Sequence, residues 1–305
     1  MKLISKLSEI SENKPLIVTI GNFDGVHLGH RSLLEQALKT ARGMSGDLVL
    51  ISFVPHPQEF FSKLNDFYLN SFEERRSLLK DFGIKYFLEI SFDEEFSNLS
   101  PESFLKEYIL SDKRVKKLYL GHDFSFGKSK SGNLEFVKNF LLNTGVQLEV
   151  FPEFKTSMDK VSSSLIRDLI RHGKIEKANE LLGRKFFIKG RVVKGKGRGA
   201  TIGIPTVNLE INPNRIVPAK GVYFTKTYFQ GQPFDSITNI GINPTFGDNI
   251  QLKIETHILD FSQQIYEQEI VISFLKRLRE EKKFSDFNEL KMQIKADIEE
   301  RINFR

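Results

Sequence analysis

The stretch Gly21 to His30, reading Gly-Asn-Phe-Asp-Gly-Val-His-Leu-Gly-His, constrains the fold more than any other part of the chain. It follows Pro15 to Ile20, where Leu16, Ile17, Val18 and Ile20 predict a strand buried on both faces, and precedes Arg31 to Met44, which predicts a helix. Strand, glycine turn and helix in that order put the turn at the carboxyl edge of a parallel sheet. There the first turn of the helix offers unpaired backbone N–H groups to an anion, so a phosphate site is the expectation. His27 and His30 are three residues apart and, within one helical turn, share a face from which two ring N–H donors can meet one phosphate chain. A plain surface turn, or half of a zinc site, is the alternative. The chain has no cysteine to complete a soft metal site, and no carboxylate–histidine cluster follows nearby.

The pattern after this turn alternates. Strands are expected at Asp47 to Phe53, Lys85 to Ile90, Lys116 to Leu120 and Val146 to Phe151. Helices are expected at Phe72 to Phe82 behind a Ser71/Glu74 capping box, from Glu102 after Ser100-Pro101, and at Leu134 to Leu142. Strand and helix in turn predict a doubly wound, Rossmann-like parallel sheet. In Phe53-Val54-Pro55-His56-Pro57 the two prolines predict an extended exit from the sheet edge. The run Gly121 to Ser129 falls short of a P-loop, because five residues separate Gly121 from Gly127 where the motif needs four. Val161-Ser162-Ser163-Ser164-Leu165-Ile166-Arg167 puts hydroxyls at a helix start and a guanidinium in its first turns. That is either a plain serine cap or a site for the outer phosphates of ATP.

Leu181-Leu182-Gly183 is a glycine stop, and the domain boundary is placed there, giving residues 1–182 and 183–305. Beyond it the period changes to that of strands: Phe186 to Val193, Thr206 to Ile211, Gly221 to Phe229, Asp235 to Gly241, Leu252 to Leu259 and Glu269 to Leu275. Six strands without intervening helices predict a small closed barrel. Phe287, Leu290, Ile294, Ile298 and Ile302 then predict one amphipathic helix packed on it. The fold class is therefore α/β plus all-β. Within the barrel, Gly195, Gly197 and Gly199 form a basic glycine loop able to wrap phosphates, or an ordinary hairpin. Thr206 and Asn208 share a strand face, where a hydroxyl and an amide carbonyl can hold magnesium or simply meet solvent. Glu255 faces away from Ile254 and Ile258, as a solvated strand carboxylate also would.

The string at 21 to 30 resembles the signature of the class I nucleotidyltransferase superfamily. Phe-Asp-Gly-Val at 23 to 26 narrows the likeness to the FMN adenylyltransferase module of bacterial bifunctional riboflavin kinase/FAD synthetases. The Pro-His-Pro segment at 55 to 57 resembles the family's loop lining that site, and Ser163-Ser164…Arg167 its Ser-Ser-Thr-x-x-Arg motif, with Ser164 keeping the hydroxyl. From Gly183 to Arg305 the chain resembles riboflavin kinase, most specifically in Pro205-Thr206-Val207-Asn208 and Glu255-Thr256-His257. The resemblance implies that His27 and His30 act in adenylyl transfer, with Gly21, Asn22, Phe23, Asp24, Gly25, Ser163, Ser164 and Arg167 around the nucleotide. It implies that Thr206 and Asn208 hold Mg2+ and ATP, that Glu255 is the kinase base, and that Asp123 and Arg279 face the flavin. Two positions depart from the common pattern, Asn243 for Arg and Glu267 for Gly, and bear on loop shape and substrate affinity.

The expected activity is phosphorylation of riboflavin by ATP to FMN, then adenylylation of FMN by a second ATP to FAD. An adenylyltransferase for another phosphate acceptor is one rival; a flavin- or RNA-binding protein without turnover is another. At 305 residues the chain has length for two cores. Its net charge of +6, from 45 basic and 39 acidic residues without a dense basic block, favours small polyanions over nucleic acid. Met1 to Lys14 has no apolar core, no run reaches membrane-span length, and cysteine is lacking, which together predict a cytoplasmic enzyme with no membrane partner. Self-association is left open.

Overall fold

The computed structural model describes residues 1–62, 65–156, 159–195, 199, 203–244 and 250–304, and the chain divides into two compact units, Met1–Ser163 and Ser164–Arg305. In the first, β1 (Lys2–Ile4), β2 (Leu16–Ile20), β3 (Asp47–Val54), β4 (Tyr86–Ser91), β5 (Val115–Gly121) and β6 (Gln147–Phe151) form one sheet. Their order is β1-β4-β3-β2-β5-β6, and every neighbouring pair is parallel. Alternate residues of a strand enter opposite faces of such a sheet, so one strand feeds two cores. Leu16, Val18 and Ile20 join Val49, Ile51, Leu88 and Leu118 on one face, while Ile17 joins Leu50, Phe87 and Tyr119 on the other. The latter is covered by α1 (Leu28–Gly43) through Leu33, Leu34, Ala37 and Ala41, a stripe spaced for one side of a helix.

Strand β2 has β3 on one side and β5 on the other, so the strand order reverses there, and such a point opens a crevice at the carboxyl ends of the strands. The turn at 21 to 30 emerges into it. Further helices are α2 (Pro57–Ser62), α3 (Phe72–Asp81), α4 (Glu94–Ser97), α5 (Pro101–Phe104) and α6 (Leu134–Leu141). The capping box of α3 forms as expected: Ser71 Oγ accepts from Glu74 N at 3.1 Å, and Glu74 accepts from Ser71 N at 2.8 Å. The extended exit after β3 does not form. Pro57 is instead the first residue of α2, where the missing N–H is no loss, and His56 Nδ1 accepts the Gln58 N–H at 3.0 Å.

Helix α7 (Ser163–Arg171) leads into the second unit and is followed by α8 (Ile175–Leu182), which ends at Gly183 with φ 65°, the left-handed conformation that the glycine stop supplies. Asn179 of α8 ties itself to the barrel: its amide donates to Phe274 O at 3.0 Å and accepts from Phe186 N at 2.6 Å. The barrel strands are β7 (Phe186–Val193), β8 (Val207–Glu210), β9 (Gly221–Phe229), β10 (Gln232–Pro244), β11 (Ile250–Ile258) and β12 (Glu269–Arg279). They close in the order β10-β11-β8-β7-β12-β9, all pairs antiparallel, which leaves no free sheet edge.

The terminal helix α9 (Phe287–Asn303) forms and packs on the barrel, with Leu290, Ile294 and Ile298 half-buried along one side. Phe287 and Ile302 are exposed, and the buried residues are Asp297 and Arg301. Asp297 holds Arg279 of β12, and Arg301 donates to Thr225 O and to Asp235, so ion pairs and hydrogen bonds anchor the helix.

Candidate active sites

In the first unit the turn after β2 takes an unusual backbone path. Phe23, Gly25 and Val26 have φ of 50°, 84° and 39°, a region sparsely used by residues with a Cβ and concentrated at functional sites. The turn leads His27 into the N-cap position of α1, where its Nδ1 accepts the His30 N–H at 3.3 Å. The two rings stack with centroids 3.6 Å apart, so both histidines do lie together at the helix start. Gly21, at the end of β2, donates its N–H to Ile51 O at 3.0 Å, which carries the turn over β3.

Ser163, the last residue of the first unit, meets this turn. Ser163 Oγ donates to the carbonyl oxygen of Asp24 at 2.8 Å, across 139 residues of sequence. Ser164 and Arg167 follow in the same helix, and Arg167 is buried. The Asp24 side chain is also buried, and its carboxylate accepts from the backbone N–H groups of Leu69 (3.1 Å) and Asn70 (3.2 Å). Asp123 lies exposed just past the carboxyl end of β5. Beside it, Glu153 gathers Lys160 at 2.5 Å, Lys155 at 2.9 Å and His122 at 3.6 Å. Lys160 first, then Lys155, hold the Glu153 carboxyl down to about 2.

Arg75 was not singled out by its sequence, which reads Glu73-Glu74-Arg75-Arg76 like a solvated charge run. It is only 2% exposed and donates from Nη1 to the carbonyl of Asn22 at 2.8 Å, while Glu89 pairs with its other arm at 3.4 Å. The guanidinium also sits over the rings of Phe72 and Phe87. Burial pulls its ionisation below the ordinary value, against the attraction of Glu89 and Asp24.

In the barrel, Ile254, Thr256 and Ile258 point inward, leaving Lys253, Glu255 and His257 on the outer face. Glu255 stands opposite Asn208 of β8 on one side and Asn239 of β10 on the other. Lys253 Nζ lies 3.4 Å from the Glu255 carboxylate. The glycine loop begins against Asn208: a Cβ on Gly195 would run into the Asn208 amide, and one on Gly199 would come within 3.3 Å of Thr206 Oγ1. Gly195, Gly199, Thr206, Asn208 and Glu255 are thus brought together; Gly197, and the side chain of Asn243, lie outside the described residues. Arg279 is committed elsewhere, its guanidinium bonded to Asp297 at 2.7 to 3.2 Å. The segment after it nevertheless returns to this face, where Glu281 accepts from Asn239 Nδ2 at 3.4 Å. Glu267 has φ 63°, which accounts for glycine being usual there, and its side chain pairs with Arg191 at 3.1 Å.

A strained turn at the switch point of a parallel sheet, followed by a closed barrel carrying a carboxylate between two amides, is the layout of a two-module nucleotide-dependent transferase. Residues 9–165 match the family model of FAD synthetase, and residues 182–304 that of riboflavin kinase. Among relatives, the bifunctional riboflavin kinase/FMN adenylyltransferase of Bacillus subtilis is 35% identical, over 96% of this chain and 93% of its own length. That of Buchnera aphidicola is 37% identical over 98% and 97%, and that of Escherichia coli 33% identical over 97% and 96%. A solved structure from Streptococcus pneumoniae, described as a macrolide-efflux protein, superposes with TM-score 0.90 at 31% identity over 100% of this chain and 99% of its own. No helix among the described residues is long and apolar enough to cross a membrane. The chain belongs to the bifunctional riboflavin kinase/FMN adenylyltransferase family.

Proposed function

We propose that the barrel face around Glu255 phosphorylates riboflavin and that the turn around His27 and His30 adenylylates the product, with the functional division at Leu182/Gly183. The start of the riboflavin kinase match at residue 182, one residue before the helix-stopping Gly183, supports that division. In the kinase step Glu255 accepts the proton of the riboflavin 5′-hydroxyl as that oxygen attacks the γ-phosphorus of ATP, giving FMN and ADP. Asn208 and Asn239 flank the carboxylate from the neighbouring strands, and Gly195 and Gly199 bring backbone beside the phosphates. The Thr206 hydroxyl beside Gly199 and the Asn208 amide oxygen beside Gly195 are hard oxygen donors, a set that suits Mg2+. When bound there, Mg2+ supplies positive charge against the phosphate oxygens. Arg279 acts on the flavin side through Asp297, by setting where the segment that carries Glu281 begins.

In the adenylyl step the FMN phosphate attacks the α-phosphorus of a second ATP, forming FAD and releasing pyrophosphate. The attacking oxygen is already anionic, so the protein positions the reactants and stabilises charge. His27 and His30 donate to the phosphates from the start of α1, Ser163, Ser164 and Arg167 from α7, and the backbone of Gly21 to Gly25 shapes the turn. Asp123 lines the flavin side. The observation that carries this part of the reading is the Ser163–Asp24 hydrogen bond, which joins two phosphate-binding motifs distant in sequence. The soluble substrates fit a cytoplasmic enzyme.

The test is chromatography of flavins after the purified chain is incubated with riboflavin, ATP and magnesium. The unmodified protein should yield FMN and then FAD; Glu255→Gln should leave riboflavin unconverted yet adenylylate added FMN; His30→Ala should stop at FMN. If neither product forms with the unmodified protein, the proposal is wrong and other phosphate acceptors come forward.

A further inference from the structure

Two segments of the first unit meet at Asp24, and its carboxylate accepts hydrogen bonds from the protein's own backbone. That carboxylate accepts the N–H of Leu69 through both oxygens at 3.1 Å and that of Asn70 at 3.2 Å, while the residue's carbonyl takes Ser163 Oγ at 2.8 Å. One residue before Leu69, the Tyr68 hydroxyl accepts the His56 N–H at 2.9 Å and donates to Glu59. Burial, followed by the bond to Glu59, pushes the Tyr68 phenol up, so it remains a protonated donor across the working range of an enzyme. His56 belongs to the Pro-His-Pro segment. A path therefore runs from that loop by hydrogen bond to Tyr68, along the covalent chain to Leu69 and Asn70, by hydrogen bond into the Asp24 carboxylate, and out through the Asp24 carbonyl to the start of α7.

The link is reciprocal. Arg75, six residues after Leu69, donates back to the turn at Asn22 O at 2.8 Å, so the segment from Tyr68 to Arg75 is fastened to the Gly21–Gly25 turn from both sides. A carboxylate that accepts backbone N–H groups is a charge-assisted and directional anchor, stronger than a neutral acceptor would be. Asp24 is 1% exposed, which makes a loss of these bonds costly.

We propose that Asp24 is a positioning residue that assembles the adenylyl-transfer site, fixing the Pro-His-Pro loop and Ser163 relative to the phosphate turn, in place of the nucleotide contact its sequence motif implies. This rests on the reading of the first unit as the FMN adenylyltransferase. It requires that Asp24 and Tyr68 act through one linkage, although their side chains bond different partners.

The experiment compares the full chain with Asp24→Asn, Tyr68→Phe and the double variant. Riboflavin phosphorylation serves as the folding control and adenylylation is resolved into kcat and KM. Asp24→Asn keeps one acceptor oxygen, and should raise KM for ATP and FMN about tenfold while kcat changes less than about threefold. Tyr68→Phe should act in the same direction on FMN, and the double variant should be no worse than Asp24→Asn by more than about twofold, the non-additivity expected of one network. A loss of kcat of about a thousandfold with KM unchanged and Tyr68→Phe silent would overturn the proposal, because Asp24 would then touch the reacting groups. Amide hydrogen exchange supplies a readout that needs no activity. Asp24→Asn should speed exchange at Leu69, Asn70 and also His56, whereas exchange at His56 unchanged from the parent breaks the proposed path. If the parent forms FMN but no FAD, the functional reading fails while the exchange result still decides the linkage.

Discussion

His27 Nδ1 accepts the backbone N–H of His30, and the rings of the two residues stack 3.6 Å apart at the start of α1. An accepting Nδ1 bears no proton, so the neutral ring carries its hydrogen on Nε2. One nitrogen thus caps the helix, and the other is the one that can carry the donor the proposed phosphate contact needs.

The two roles separate by substitution. Asn at position 27 can still accept from the His30 N–H but has no group at the Nε2 position, whereas Gln reaches that position and loses the cap. His27→Asn should keep the parent's thermal midpoint and lose adenylylation; His27→Gln should lose about 1 kcal/mol of stability and retain more of the activity. Calorimetry with flavin chromatography on both variants checks this. Equal activities would mean that Nε2 does not act on the phosphates.

How much of this was legible in the sequence depends on the range of each interaction. β7 and β9 are bounded where their alternation predicts, because each ends at a local turn signal. β10 runs from Gln232 to Pro244, beyond the expected Asp235 to Gly241, since Pro233 and Pro244 read locally as stops while the barrel pairs both with neighbours. The turn after β2 was legible as a helix entry because its glycines and histidines serve a local geometry. Asp24 was legible as a motif residue but not as an anchor, for its partners are 45 and 46 residues away and are backbone groups of any residue type. Arg75 and Arg76 are alike in sequence, and only the packing of α3 on Phe87 decides which one is buried.

A pH prediction attaches to Glu153. Its carboxyl is held at about 2 instead of 4.5 by Lys160 and Lys155, so its stabilising contribution is full above about 4.5 and is lost as pH falls towards about 2. Glu153→Gln should therefore flatten the acid limb of the stability profile between those values and leave the difference between parent and variant constant at neutral pH. The carboxylate is partly exposed and its lysine partners are exposed, so salt should shrink the effect. Denaturant midpoints across that range, with and without salt, measure it; an acid limb that is the same in both proteins would show that the cluster is not formed in solution.

The pair Arg279–Asp297 predicts a stability effect in the second unit. Asp297 is 4% exposed at its side chain and Arg279 15%, and removing one partner leaves the other charge buried and unpaired. Asp297→Asn should destabilise the barrel by about 3 kcal/mol, more than most surface changes. Because α9 then loses its hold on the segment beginning at Arg279, the KM for riboflavin should rise with little change in the KM for ATP. Urea unfolding and kinase kinetics together test this, and a riboflavin KM equal to the parent's would detach α9 from the flavin side.

Inside the barrel, hydroxyls take the place of aliphatic packing along one line. Thr227 donates to Ser236, Ser236 meets Thr225 at 2.8 Å, Thr225 meets Thr238 at 2.9 Å, and Thr238 meets Thr256 at 2.9 Å. All five residues are fully buried, so each hydroxyl depends on its neighbours for satisfaction. Thr238 is the link between β9 and β11, and Thr238→Val, of nearly the same shape, removes both of its bonds. That leaves Thr256 without its hydroxyl partner in this chain and should cost about 2 kcal/mol. Converting Thr256 to Val as well removes the stranded group, so the double variant should be more stable than Thr238→Val alone, a reversal that simple loss of packing does not produce. Unfolding free energies of the three variants decide it: an additive double variant would mean that the hydroxyls are not coupled.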